Sequence, residues 1–216
     1  MKLAHALQYN LATSSAALYT TMPLVCLPLP QASLWLDADF LAPAESEALL
    51  AELTATVAWE QRSIRLYGKE LPQPRLTAWH GEPEARYTYS GLHWEPRPWT
   101  PALQQLLRRV QAASGTQFNS VLLNLYRDGR DSMGWHADDE PELGAAPTIA
   151  SLSLGATRRF RLRPRPGVAA EPLGLDLPSG SLLLMRPPTQ QFWQHALPKT
   201  ARPVGPRLNL TFRWVG

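Results

Sequence analysis

His136 and Asp138 stand two residues apart, and His195 follows 57 residues after Asp138. Two imidazoles and one carboxylate can hold a divalent metal on one face of an octahedron and leave three positions open. In an extended segment, residues two apart point to the same side, so His136 and Asp138 can address one ion. His195 can join them only through tertiary folding. Three open positions suit ferrous iron that must take both a co-substrate and dioxygen. The same ligand types also serve zinc hydrolases, and an isolated His-x-Asp is more often a surface turn or a salt bridge. The remainder of the site has to separate these readings.

A second constellation lies near the C-terminus. Arg207, Asn209, Thr211 and Arg213 alternate with Leu208, Leu210, Phe212 and Trp214, a period of two across eight residues. That is a strand with a polar face and an apolar face. A half-exposed strand would alternate in the same way. Two arginines on one short face nevertheless fit a dicarboxylate, because guanidinium binds carboxylate in a planar, bidentate manner. Asn124 and Tyr126 share one face of an otherwise apolar stretch, Val121 to Tyr126. Buried amide and phenol groups need partners, which a bound acid or other core groups can supply. Metal ligands, two arginines and a tyrosine–asparagine pair describe a pocket for iron and 2-oxoglutarate. Zinc hydrolysis has no need of the second anion site.

These groups require a frame. With 216 residues the chain suffices for one domain with a substantial core. Hydrophobic residues at 44% and charged residues at 18% exclude a disordered chain. The 21 prolines favour loops and short strands over long helices. Two helices stand out. Pro43 suits a first helical position, with Leu49, Leu50 and Leu53 giving an apolar face through about Val57. Thr100 is an N-cap and Pro101 an N1 residue; Leu103, Leu106, Leu107 and Val110 recur at helical spacing before Gly115. Ile64 to Tyr67 and Tyr87 to Tyr89 read as short strands, the first running into a hairpin tip. Strands are expected over 121–126, 148–154, 158–163, 181–185, 192–196 and 207–214. The result is a mostly β protein, a sandwich or barrel with helices packed outside. Residues 1–33, broken by Pro23, Pro28 and Pro30, read as an N-terminal extension without regular structure, and 34–216 as a single domain.

A net charge of +3 permits a polyanionic partner without demanding one. The single Cys26 excludes an internal disulfide framework and a cysteine-rich metal site, and it fits a reducing, cytoplasmic setting. No apolar run has the length of a membrane span, and the N-terminus lacks a continuous signal-peptide core.

Taken in order, Asn124-Leu125-Tyr126-Arg127-Asp128-Gly129, Asp131 to Glu140, Ile149 to Gly155, His195 and Arg207 to Arg213 resemble the AlkB dioxygenases, which repair alkylated nucleic acid. The resemblance runs from about residue 60 to the C-terminus and implies a double-stranded β-helix, or jelly-roll, core. It implies His136, Asp138 and His195 as ligands of Fe(II), with 2-oxoglutarate and O2 as co-substrates. It puts Arg213 near the C1 end of 2-oxoglutarate. Arg207, helped by Tyr126, Asn124 and Asn209, takes the distal carboxylate.

The resemblance also implies a nucleotide-recognition region at about 60–95, closest to that of the animal DNA-repair members. Tyr89 then stacks on an extruded base, Leu66 and Tyr67 wedge into the gap left behind, and Glu140 faces the base. The bland alternatives are a core aromatic for Tyr89 and a solvated carboxylate for Glu140. Arg159, Arg161 and Arg163 alternate with Phe160 and Leu162, a basic stripe that serves phosphates or solubility equally well. His5, His80 and His93 show no partner pattern and read as structural or surface residues.

The function so implied is oxidative demethylation of N-alkylated bases of the 1-methyladenine and 3-methylcytosine type in DNA, by a monomer. Formaldehyde, succinate and CO2 are the products. The alternatives are an RNA demethylase, a hydroxylase of protein or small molecules on the same fold, and a non-catalytic module that binds damage.

Overall fold

The computed structural model describes residues 24–66, 69–89 and 92–216, and of residues 64–69 and 87–94 no side chain is described. In chain order the first elements are β1 (Val25–Leu27), β2 (Ser33–Asp37), α1 (Pro43–Thr56), β3 (Ser63–Leu66), β4 (Lys69–Pro72) and β5 (Leu76–Gly81). There follow β6 (Tyr87–Tyr89), β7 (Leu92–Trp94), α2 (Pro101–Ser114), β8 (Ser120–Tyr126) and β9 (Met133–His136). The last third holds β10 (Ile149–Gly155), β11 (Arg158–Pro164), β12 (Leu173–Leu177), β13 (Leu182–Arg186), α3 (Thr189–Phe192), β14 (Trp193–Leu197) and β15 (Arg207–Arg213).

Seven strands form the major sheet in the order β1-β2-β13-β10-β15-β8-β5, and four form the minor sheet, β12-β11-β14-β9. The strands β3–β4 and β6–β7 make separate antiparallel pairs. The major sheet buries both faces. On one side Leu123, Leu125, Leu152, Leu208, Leu210 and Phe212 pack with Leu53 of α1 and Leu103, Leu106 and Val110 of α2. On the other, Leu122, Leu183 and Met185 meet Phe160, Leu162, Leu177 and Trp193 of the minor sheet. This is the jelly-roll core, with the helices outside.

Local chemistry sets the ends of α2. Thr100 Oγ1 accepts from the Leu103 amide at 3.3 Å, Pro101 occupies the first turn, and Gly115 closes the helix in the left-handed region at φ 65°. A side chain at Gly115 would strain that cap.

The N-terminal expectation needs a correction. Residues 25–27, inside the stretch expected to be irregular, form β1 and pair with β2 from Val25↔Leu36 to Leu27↔Leu34. Pro28 and Pro30 fall in the connection between the strands, where a missing amide costs no ladder bond. That connection is tied to the domain by Trp193 Nε1, which donates to Pro30 O at 2.9 Å. The sequence reading also lacks β2, β4, β5, β7, β12 and the single turn α3, which immediately precedes β14, and it gives β9 only as an extended segment. Among the described residues no helix is long and apolar enough to cross a membrane.

Candidate active site

β9 and β14 run antiparallel, with His136 directly opposite His195. Their rings meet edge to face at 4.2 Å between centroids. One donor atom from each of His136, Asp138 and His195 lies within 4.8 Å of the others. His195 Nε2 is 3.5 Å from Asp138 Oδ2, and both residues are buried. His136 Nδ1 lies 2.9 Å from Gly134 O, so it carries the proton and donates it. That leaves the Nε2 lone pair for a ligand, the usual outer-shell device for fixing a metal-binding tautomer. Phe160 of β11 stacks behind His195 at 5.3 Å.

The electrostatics keep all three groups in their metal-binding protonation states. Burial pushes His195 down to about 3, with the neighbouring His136 adding to the fall. Burial also lowers His136. For Asp138 burial works the other way, but the charges of Arg213, His195 and His136 outweigh it and hold the carboxyl at about 2. At neutral pH the site therefore presents two neutral imidazoles and one carboxylate.

Asp138 is not part of β9, which ends at His136. Its position comes from contacts instead. The Asp138 amide donates to Gln190 Oε1 at 3.0 Å, and Arg213 Nη2 donates to Asp138 Oδ1.

All seven residues of β15 are buried. The polar row Arg207, Asn209, Thr211 and Arg213 lines the same cavity as the triad, together with Asn124, Tyr126 and Ser151. Arg207 sits opposite Tyr126 in the β8–β15 ladder, with its guanidinium 5.5 Å from the centre of that ring. Its Nη2 donates to Ser153 Oγ at 2.9 Å, while its Nε is buried with no hydrogen-bond partner among the described residues. Burial lowers its pKa to about 10, so the guanidinium stays charged at neutral pH, with no carboxylate at ion-pair distance among the described residues. A buried cation in that state calls for an anionic ligand. The donor set and, in the same cavity, a buried guanidinium whose Nε has no partner among the described residues fit Fe(II) and 2-oxoglutarate.

Asn209, expected to help hold the distal carboxylate, lines the cavity with its amide engaged within the fold. Its Nδ2 donates to Ser151 Oγ at 2.8 Å and Leu152 O at 3.0 Å, and its Oδ1 accepts from Thr211 Oγ1. Two buried residues near the site carried no sequence signal. Arg75 Nε donates to Asn124 Oδ1 at 2.8 Å and brings its charge near His136. Gln190 holds Asp138. Neither belongs to a motif, and only the fold reveals their neighbours.

Tyr67 lies outside the described residues, as do the side chains of Leu66 and Tyr89. Glu140 stands half-buried before the 3-10 turn Pro141–Leu143 and is not among the residues that line the cavity. On β11, Arg159, Arg161 and Arg163 face solvent. Arg159 pairs with Asp176 at 2.9 Å, and Arg163 donates to Gln194 and covers the Trp135 ring at 4.4 Å.

Comparison with known proteins agrees with this geometry. The family model for the 2OG-Fe(II) oxygenase superfamily matches residues 34–213. Mouse alpha-ketoglutarate-dependent dioxygenase alkB homolog 3 is 45% identical over 184 residues, covering 82% of this chain and 64% of the relative. The chain thus spans somewhat under two thirds of the length of that protein. Mouse DNA oxidative demethylase ALKBH2 is 41% identical over 179 residues, covering 79% of this chain and 75% of the relative. The solved structure of OsALKBH1 superimposes with a TM-score of 0.60 over 89% of this chain and all of that one, at 18% identity, a likeness of fold.

Proposed function

The chain belongs to the 2OG-Fe(II) oxygenase superfamily as an AlkB-like dioxygenase using Fe(II), 2-oxoglutarate and O2, and on that premise we propose that it oxidatively demethylates N-alkylated bases in DNA. The observation that carries the reading is the pairing, in one cavity, of the His136–Asp138–His195 donor set with the buried Arg207, which has no carboxylate partner among the described residues. The kind of substrate is supported by the names of the relatives, a DNA oxidative demethylase among them.

His136, Asp138 and His195 hold the iron, which when bound supplies the activation of dioxygen against 2-oxoglutarate. Arg207 takes the distal carboxylate of the co-substrate, with Tyr126 packed on the guanidinium and Asn124 beside it. Arg213 bears on the C1 end while it holds Asp138. Hydroxylation of the N-methyl carbon gives a hemiaminal that loses formaldehyde and restores the base. Lesions of the 1-methyladenine and 3-methylcytosine type are cationic and have lost a pairing edge, which lowers the cost of extruding them. In this reading Tyr89 stacks on the extruded base, Leu66 and Tyr67 fill the gap it leaves, Glu140 faces it, and Arg161 follows a phosphate. The enzyme acts as a cytoplasmic monomer, a setting that the single cysteine supports, with residues 34–216 as its catalytic domain and β1 paired onto the edge of its major sheet.

One lesion, 3-methylcytosine, presented in single- and double-stranded DNA and RNA to the iron-loaded protein with 2-oxoglutarate, tests this. Loss of the methyl group from DNA is expected. Repair confined to RNA would move the substrate to the other nucleic acid, and repair in none of the four would overturn the reading.

A further inference from the structure

We infer that Gln190 is a positioning residue of the metal centre, coupling the loop that carries Asp138 to the turn that leads into His195. Two separate constraints act on Asp138. Arg213 orients its carboxylate, whereas Gln190 Oε1 accepts from its backbone amide at 3.0 Å and fixes where the residue sits. The second constraint matters because β9 stops at His136, so no ladder bond reaches Asp138. Gln190 is buried, and its amide is engaged at both ends, with Nε2 directed at Met185 Sδ at 3.6 Å.

The turn on which Gln190 rides is itself anchored from outside the site. Thr189 Oγ1 accepts from the Ser33 amide at 2.9 Å, and Trp193 Nε1 donates to Pro30 O. The chain then enters β14 at once and reaches His195 five residues after Gln190. One side chain thereby ties the second ligand to the element that delivers the third. Outer groups that orient ligands typically govern metal affinity by 10- to 100-fold. This role concerns the metal centre and is independent of which substrate is oxidised.

The test is binding of Mn(II) to metal-free protein, followed by the spin-resonance signal of the free ion, without 2-oxoglutarate or nucleic acid. Gln190→Met keeps length and bulk but removes the acceptor, and should weaken Mn(II) binding by roughly 10- to 100-fold. Gln190→Glu keeps an acceptor oxygen at the same reach and should stay within about threefold of the parent, well inside that range. Gln191→Ala, which alters an exposed neighbour bonded to Ala145 O, should leave binding unchanged. The visible absorption of the anaerobic Fe(II)–2-oxoglutarate complex should change in the Met variant and persist in the Glu variant. Binding by Gln190→Met within about threefold of the parent would overturn the inference, as would an equal loss in both variants, since packing alone would then explain it. If the Met variant fails to fold, Gln190→Asn, one methylene too short to reach Asp138, carries the same expectations.

Discussion

β11 and β15 both alternate polar residues, arginines among them, with apolar ones, and meet opposite fates. In β15 every residue is buried: Leu208, Leu210 and Phe212 enter the core under the helices, and Arg207 and Arg213 line the cavity. In β11 the apolar residues point inward, whereas Arg159, Arg161 and Arg163 face solvent. Position in the sheet makes the difference. β15 lies between β8 and β10 near the middle of the major sheet, covered by helices on one side and by the minor sheet on the other. β11 belongs to the minor sheet, where Arg159, Arg161 and Arg163 are exposed among the described residues. An alternating strand therefore announces two faces but not which of them is wet.

The contrast can be broken by mutation, beginning with the inward arginines. Arg207→Leu should raise the KM for 2-oxoglutarate by roughly 100- to 1,000-fold, because a buried charge-assisted contact is lost. Arg207→Lys should recover little, since a point charge does not replace the guanidinium fork. Succinate formation against 2-oxoglutarate concentration measures both.

Arg158 is the exception within β11, an inward arginine that donates to the carbonyls of Asp128, Asp131 and Pro198. Arg158→Ala strands those acceptors and should cost about 3 kcal/mol of stability in urea unfolding. The KM for 2-oxoglutarate should move far less than in the Arg207 variant.

His80 extends the inward class to a titratable group. Its Nδ1 meets Pro98 O at 2.8 Å, its Nε2 is buried with no partner among the described residues, and burial lowers its pKa, with Arg97 adding to the fall. The unfolded chain then takes up a proton near pH 6.5 before the folded one does. Stability contributed by neutral His80 is present above that pH and lost as pH falls toward the lowered folded value, at no more than about 1.4 kcal/mol per pH unit. Melting temperatures of metal-loaded protein between pH 7.5 and about 5 should fall, and His80→Gln should flatten the slope.

The smallest effect belongs to the outward face. Arg161→Ala should change stability by less than about 0.5 kcal/mol. If Arg161 meets a phosphate, the same change should lower the salt dependence of oligonucleotide binding by about one unit of slope.

Much of this was legible beforehand where local rules and global fold agree. Thr100, Pro101 and Gly115 marked α2, and the polar row of β15 marked residues that line the cavity. His136 and Asp138 were legible as a pair for an incomplete reason, since the strand ends between them and Gln190 supplies what the ladder does not. β1 was hidden because prolines on both sides of it read as disorder. Arg75 and Gln190 were invisible because a polar residue outside any pattern acquires meaning only from the neighbour that folding brings to it.

The central claim is that one cavity couples oxidation of 2-oxoglutarate to removal of a methyl group from a base. Counting succinate and formaldehyde in a single reaction on a 3-methylcytosine DNA oligonucleotide tests it most directly. The two products should appear in near-equal amounts as the lesion disappears, and both should vanish in His136→Ala. Succinate formed without formaldehyde, with the lesion intact, would contradict it.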